Sequence, residues 1–147
     1  MDPLRVAELE RRLGYRFRDP LLLERALTHA SYANEHPPAA DHEPLAFLGD
    51  AALGLVVADH VTAADPAATV GVLTPRRAEL VAGARLARWA GELELGPLLR
   101  LGRGEEQSGG RTRESILATA LEAVLGAIYR EDGLDAVRAV IGRLAAW

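Results

Sequence analysis

The chain is expected to fold as one all-α domain, on three observations. Apolar residues recur at helical spacing in segment after segment, no stretch alternates apolar with polar residues as a half-buried strand would, and glycines, prolines and Asp-Pro pairs stand at the joints. At 147 residues a single domain spanning 1–147 can bury one continuous core, and no internal repeat divides it.

Taken in order, residues 3 to 13 place Leu4, Val6, Leu9 and Leu13 at roughly helical spacing, and Gly14 ends the helix. Asp19 and Pro20 read as cap and first residue of a second helix whose buried side holds Leu21, Leu22, Leu23, Ala26 and Leu27. His29 is read as a helix-end histidine bonded to backbone rather than a general base, since no serine or cysteine pairing is evident. Residues 33 to 41, ANEHPPAAD, are polar and proline-rich, which predicts an exposed loop. A central helix follows, capped by Asp41 and carrying Pro44 in its first turn, where the backbone N–H groups lack partners anyway.

Asp65 and Pro66 break that helix, and 66 to 72 is expected as a loop with Gly71 as a hinge-like point. Thr74 and Pro75 read as the start of a helix to about residue 90, with Leu80, Val81, Ala84, Leu86 and Ala87 on one side and Arg76, Arg77, Arg85 and Arg88 mostly on the other. Residues 95 to 101 suit a helical turn, and 102 to 113, GRGEEQSGGRTR, a glycine-rich loop bearing Arg103, Arg111 and Arg113. A helix over 114 to 131, a turn at Asp132 and Gly133, and a last helix to Ala145 complete the chain.

Composition narrows the function. No run of about 18 apolar residues is expected to span a membrane and no secretion signal opens the chain, so no membrane partner and a cytoplasmic location are expected. The absence of cysteine excludes disulfides, a thiol nucleophile and thiolate zinc ligation, and the four histidines form no HExxH pair. The glycine-rich loop lacks the GK[ST] ending of a nucleotide-binding loop. Net charge is −4, but residues 76 to 113 carry eight arginines against five acids while both flanks are acidic. Arginines beside flexible glycines suit a nucleic-acid backbone; the helical ones are read equally as a solvated face or as phosphate contacts.

The chemistry is expected where two apolar helices each carry an acid. On DHEPLAFLGDAALGLVV, residues 41 to 57, positions 43, 46 and 50 share one face, with Phe47 turned away from it. Asp50 lies among apolar neighbours and must find a partner or a metal; a bond to an arginine or a backbone N–H is the plainer reading. On SILATALEAVLGAIY, residues 115 to 129, Glu122 is the lone acid, with Thr119 three residues before it. Two such helices suggest one shared site.

These stretches resemble the catalytic domain of the ribonuclease III family, whose first motif reads like NERLEFLGDAVL and whose second reads like ILADxFEAxxGAIY. The similarity extends over LGYRFRDPLLLERALTHASY at 13 to 32, HEPLAFLGDAAL at 42 to 53, LTPRRAELV at 73 to 81, LGRGEEQSGGRTRESILA at 101 to 118 and EAVLGAIYREDG at 122 to 133. The resemblance implies an all-α endonuclease bundle that cuts double-stranded RNA as a homodimer, with Mg²⁺, or Mn²⁺ in its place, held by carboxylates of the two apolar helices. Carried over residue by residue, the metal ligands would be Glu43, Asp50 and Glu122, with Asp50 and Glu122 catalytic. Ala46 and Thr119 stand where the family has a glutamate and an aspartate. An alanine offers no ligand atom and a threonine hydroxyl is neutral.

Each charge lost beside the ion forfeits on the order of one to several kcal/mol, so losing two weakens metal binding by roughly a hundredfold or more. Weak or absent cleavage is therefore expected, against the alternatives of a fully active endonuclease and of a non-catalytic dimeric module associated with RNA or the ribosome. A regulator forming mixed dimers with a competent ribonuclease is a further reading. The resemblance also implies that Phe47 enters a pocket on the partner subunit, with Gly49 and Gly54 allowing close approach beside it. Arg76, Arg77, Arg103, Arg111 and Arg113 are the expected RNA contacts, and no separate double-stranded RNA-binding domain is expected.

Overall fold

Asp-Pro pairs open the first two helices, as their chemistry dictates: the aspartate accepts an orphan N–H and the proline sits where no N–H is needed. In the computed structural model, which describes residues 1–147, α1 spans Pro3–Leu13 with the Asp2 carboxylate accepting from the Leu4 N–H at 2.9 Å. Gly14 closes it in the left-handed region, φ 66°. The next helix, α2, spans Pro20–Ala26, its Asp19 cap accepting from the Leu21 N–H at 3.0 Å. His29 caps the short α3, Ala30–Glu35, its Nδ1 accepting from the Ser31 N–H at 3.1 Å. That agrees with the backbone-bonded reading of His29, while residues 33 to 35 of the expected loop are helical.

The central helix α4 runs over Glu43–Ala64, with the Asp41 carboxylate accepting from the Glu43 N–H at 2.9 Å. Contrary to the expected absence of a membrane-length run, this helix is by length and composition long and apolar enough to cross a membrane. Here it is the central strut, and Leu45, Leu53, Val56 and Val57 face the core. The region after it also departs from expectation. Residues 70 to 72 are not loop, and one helix to residue 90 is replaced by two: α5 over Val70–Leu80, begun by Thr69, and α6 over Gly83–Glu92. Pro75 lies inside α5 rather than opening a helix. No residue of α5 is fully buried, so little packing energy is at stake on that helix, whereas α6 buries Leu86, Trp89 and Ala90.

A 3-10 turn at Gly96–Leu98 matches the expected helical turn; the glycine-rich loop is more ordered than its composition suggests, forming α7 over Arg103–Gln107 and a 3-10 turn at Gly110–Thr112. The last element, α8, Glu114–Ala145, is broken at Gly133, whose φ of 78° suits glycine. Its first part runs antiparallel to the start of α4, since Glu122 meets Gly49 and Leu45 meets Gly126. Beyond the break it returns along the end of α4, where Arg138 pairs with Asp59 at 2.8 Å and Trp147 stacks on His60 at 3.5 Å. The core, with Leu53, Val57, Trp89, Leu121, Leu125 and Ile128, sits where α4, α6 and α8 meet.

The turn at Gly133 is held from outside. Glu131 accepts from the Tyr15 hydroxyl at 2.8 Å, the Arg18 N–H at 3.1 Å and the Asp19 N–H at 2.7 Å, so one carboxylate fixes the α1–α2 connection to α8. Glu131→Ala leaves those donors without their acceptor and is expected to cost about 1–3 kcal/mol. Urea unfolding of the variant checks this, and an unchanged midpoint would contradict it.

Candidate functional site

The first turn of α4 is anchored before any functional group appears on it. His42 is buried; its N–H donates to the Thr28 carbonyl at 2.9 Å and its ring nitrogen pairs with the Ala26 carbonyl at 3.2 Å. It meets His29 edge to face at 5.8 Å, and burial pushes both imidazoles below their ordinary range. From this anchored start, two turns carry the helix to Asp50.

Asp50 and Glu122 come together at the α4–α8 crossing: the Cβ position of Gly49, the residue before Asp50, meets the Glu122 carbonyl, and Asp50 is near enough to act on the Glu122 carboxyl. The desolvation falls on the other partner than expected: Asp50 is exposed, whereas Glu122 is half-buried. Burial pushes the Glu122 carboxyl up to about 7, and the hydrogen bond and charge of Asp50 add to the rise. Glu43 does not join them. It lies exposed at the helix start, about 10 Å of helical rise before Asp50, and no group of three or more acidic or histidine side chains stands close enough to hold one ion. The expected three-carboxylate set is thus corrected to two. Beside the pair, Ala46 is a buried methyl, and the Thr119 hydroxyl donates to the Ser115 carbonyl at 2.9 Å, one turn back on its own helix.

These donors fit a hard divalent cation in a limited way. Two adjacent carboxylates repel when both are ionised, and an oxygen-seeking cation would relieve that repulsion with water completing its shell. Nothing charged stands at Ala46 or Thr119 to strengthen the hold.

The glycines beside the acids are used differently from expectation. Gly49 is buried within the chain: a Cβ there would overlap the Glu122 carbonyl and stand 2.8 Å from the Gly126 nitrogen. Within the chain it serves the α4–α8 crossing. Gly54 faces open space, with nothing within 4 Å of where its Cβ would lie. Phe47 is 82% exposed, beside a hollow formed with Pro44, Leu48, Tyr129 and Arg130. Arg130, which is not among the arginines expected on RNA, has no acidic partner there; its place directly after the GAIY stretch was the available signal.

Three of the five arginines expected on RNA are engaged within the fold. Arg111 pairs with Glu106 and donates to the carbonyls of Gly96 at 2.9 Å and Leu99 at 2.7 Å. Arg113 pairs with Glu105 and donates to the Ser108 carbonyl at 2.9 Å. Both pin the loop to itself, because acids five and eight residues earlier fold back onto them. Arg76 pairs with Asp65 at 3.2 Å. The side chains of Arg77 and Arg103 have no such partner and remain available to an anion.

Comparison with known proteins decides the family. A family model described as Ribonuclease-III-like matches residues 19–146. The chain belongs to the ribonuclease III family. Within it, the chain is 50% identical over 141 residues to Ribonuclease 3 of Heliobacterium modesticaldum, covering 95% of this chain and 60% of that protein. Ribonuclease 3 of Methylococcus capsulatus is 52% identical over 133 residues, with 90% of this chain and 56% of that protein covered. The chain therefore spans a little over half the length of these ribonuclease III relatives. Two structures of the nuclease domain of ribonuclease III from Campylobacter jejuni superpose with TM-scores of 0.88 and 0.87 at 38% identity, covering 95% and 98% of this chain and 94% of each. One is described by flexibility in a region involved in that protein's dimer formation. The all-α expectation and the ribonuclease III resemblance both stand.

The raised Glu122 carboxyl gives this ribonuclease III-like site a pH signature. Glu122 binds its proton more tightly in the folded chain than its ordinary value of 4.5, so this contribution to stability is full below about 4.5 and is lost as pH rises through about 7. Discounted for the solvent near a half-buried group, the loss is about 1–2 kcal/mol. Relative to Glu122→Gln, which carries no charge, metal-free protein is expected to lose that much between pH 5 and pH 8 in urea unfolding; parallel profiles would contradict it.

Proposed function

We propose that this chain is a ribonuclease III-type nuclease domain that forms a two-fold dimer through Phe47 and engages double-stranded RNA, with phosphodiester cleavage weak or lost. The observation that carries the reading is the state of the carboxylates. Asp50 and Glu122 stand together, while Ala46 is a buried methyl and the Thr119 hydroxyl is committed to backbone.

Asp50 and Glu122 are the residues that would hold Mg²⁺ or Mn²⁺. When bound, such an ion supplies an activated water and stabilises charge on a phosphoryl group. The exposed Asp50 is open to an approaching backbone, and Glu122 exchanges a proton near neutral pH. Arg77 and Arg103 offer unpaired guanidinium groups to phosphates, positioning a duplex without reading its sequence. Two carboxylates in place of four hold the ion roughly a hundredfold or more weakly.

A long RNA duplex incubated with purified protein in Mg²⁺ or Mn²⁺ is expected to be cut little or not at all. Robust cleavage abolished by Asp50→Ala or Glu122→Ala would overturn the reading. The exposed Phe47, retained while two of the four acids are not, also supports a non-catalytic module docking on RNA, on a ribosome or on a ribonuclease relative.

A further inference from the structure

The pair of carboxylates owes its spacing to the backbones beneath it. At most helix crossings side chains separate the axes by about 8–10 Å and can repack when one is changed. Here the separation is set by main chain on main chain. A Cβ on Gly49 would overlap the Glu122 carbonyl, and one on Gly126 would overlap the Leu45 carbonyl while standing 3.1 Å from the Gly49 nitrogen. Gly49 is the residue before Asp50, and the carbonyl it touches belongs to Glu122 itself. Glu122 thus projects from a residue at which the helices meet and Asp50 from the residue next to one, and neither contact can be relieved by rotating a side chain.

We propose that Gly49 and Gly126 are positioning residues that fix the separation of the Asp50 and Glu122 carboxylates, and with it the ability of the site to hold a divalent cation. The proposal rests on the reading of that pair as the retained part of a metal site. A methyl at either glycine drives the helices apart by roughly 1 Å or more, because a close-packed interior offers no other relief. Gly54 provides the internal control, being on the same helix with nothing within 4 Å of its Cβ position.

The test uses the Ala46→Glu/Thr119→Asp background, in which metal binding is strong enough to measure, and counts free Mn²⁺ by electron paramagnetic resonance. Adding Gly49→Ala or Gly126→Ala is expected to weaken Mn²⁺ binding by about tenfold or more, as losses of supporting structure around metal ligands do. Adding Gly54→Ala leaves it unchanged. Adding Ile141→Val, in the core of α8 beyond the Gly133 break, lowers stability without moving Mn²⁺ affinity. Mn²⁺ binding that survives both glycine substitutions overturns the proposal alone; no Mn²⁺ binding in the background contradicts the metal reading and the proposal with it.

Since either glycine variant can fail to fold, hydrogen exchange of the unaltered chain gives a second reading. Amides of 49 to 53 and 122 to 126 are expected to exchange only through global unfolding. Faster local opening there overturns the proposal, because a crossing that breathes cannot set a distance.

Discussion

Replacing Ala46 by Glu and Thr119 by Asp together is expected to tighten divalent-metal binding by about a hundredfold or more and to raise cleavage of an RNA duplex. Position 46 lies one turn before Asp50 and position 119 one turn before Glu122, so both new carboxylates enter the side of the crossing where the pair already stands. The gain carries a cost that makes it recognisable. Without metal, four acids crowd a region where Glu122 already holds its proton to about 7, and the metal-free double variant is expected to be less stable than the unaltered chain by about 1–3 kcal/mol. Mn²⁺ should recover that loss and raise the melting temperature of the double variant far more than that of the unaltered chain. Equal thermal shifts in the two proteins would mean that the added acids do not reach the ion.

Phe47→Asp is expected to turn a dimer into a monomer. An aromatic ring left 82% exposed next to an apolar hollow represents a burial of about 1.5–3 kcal/mol forgone, and a two-fold interface uses it twice. Removing both rings and placing a charge at each position therefore removes about 3–6 kcal/mol of association energy, roughly two to four orders of magnitude in the dissociation constant. Because Phe47 is largely exposed within its own chain, the variant monomer should keep its fold. Sedimentation at several concentrations, with circular dichroism of the same samples, separates the outcomes. A variant that stays dimeric, or that unfolds, would contradict the assignment of Phe47 to the partner contact.

Which parts were legible in the sequence follows from the range of the interactions involved. α1 and α2 are written in local chemistry: Asp2 with Pro3 and Asp19 with Pro20 cap within two residues, and Gly14 stops the first helix. The break in α8 is likewise marked locally by Gly133, although the partners of Glu131 that hold it lie far away in sequence. The α5–α6 region misled because Thr74-Pro75 has the form of a helix start. Pro75 instead stands at the sixth position of α5, and the division between the two helices falls before Gly83.

The site divides the same way. A lone acid on each of two apolar helices was enough to bring Asp50 and Glu122 together, but which of them would be desolvated depends on the packing around α8, which periodicity does not report. Two turns of helix take Glu43 out of reach, a consequence of rise that sharing a face conceals. Arg111 and Arg113 looked free because their partners, Glu106 and Glu105, reach them only once the loop has folded back. Gly49 was seen as a close-approach residue, yet only the fold shows that the approaching backbone is Glu122 of the same chain.

A site that keeps only Asp50 and Glu122 of four charged metal ligands is expected to be insufficient for efficient catalysis. Calorimetric titration of the unaltered chain and of the Ala46→Glu/Thr119→Asp variant with Mg²⁺ and Mn²⁺ tests it most directly. Weak binding that depends on Asp50 and Glu122 is expected in the former, and binding about a hundredfold or more tighter in the latter. Binding of equal strength in the two proteins, or binding by the unaltered chain that survives Asp50→Ala, would contradict it.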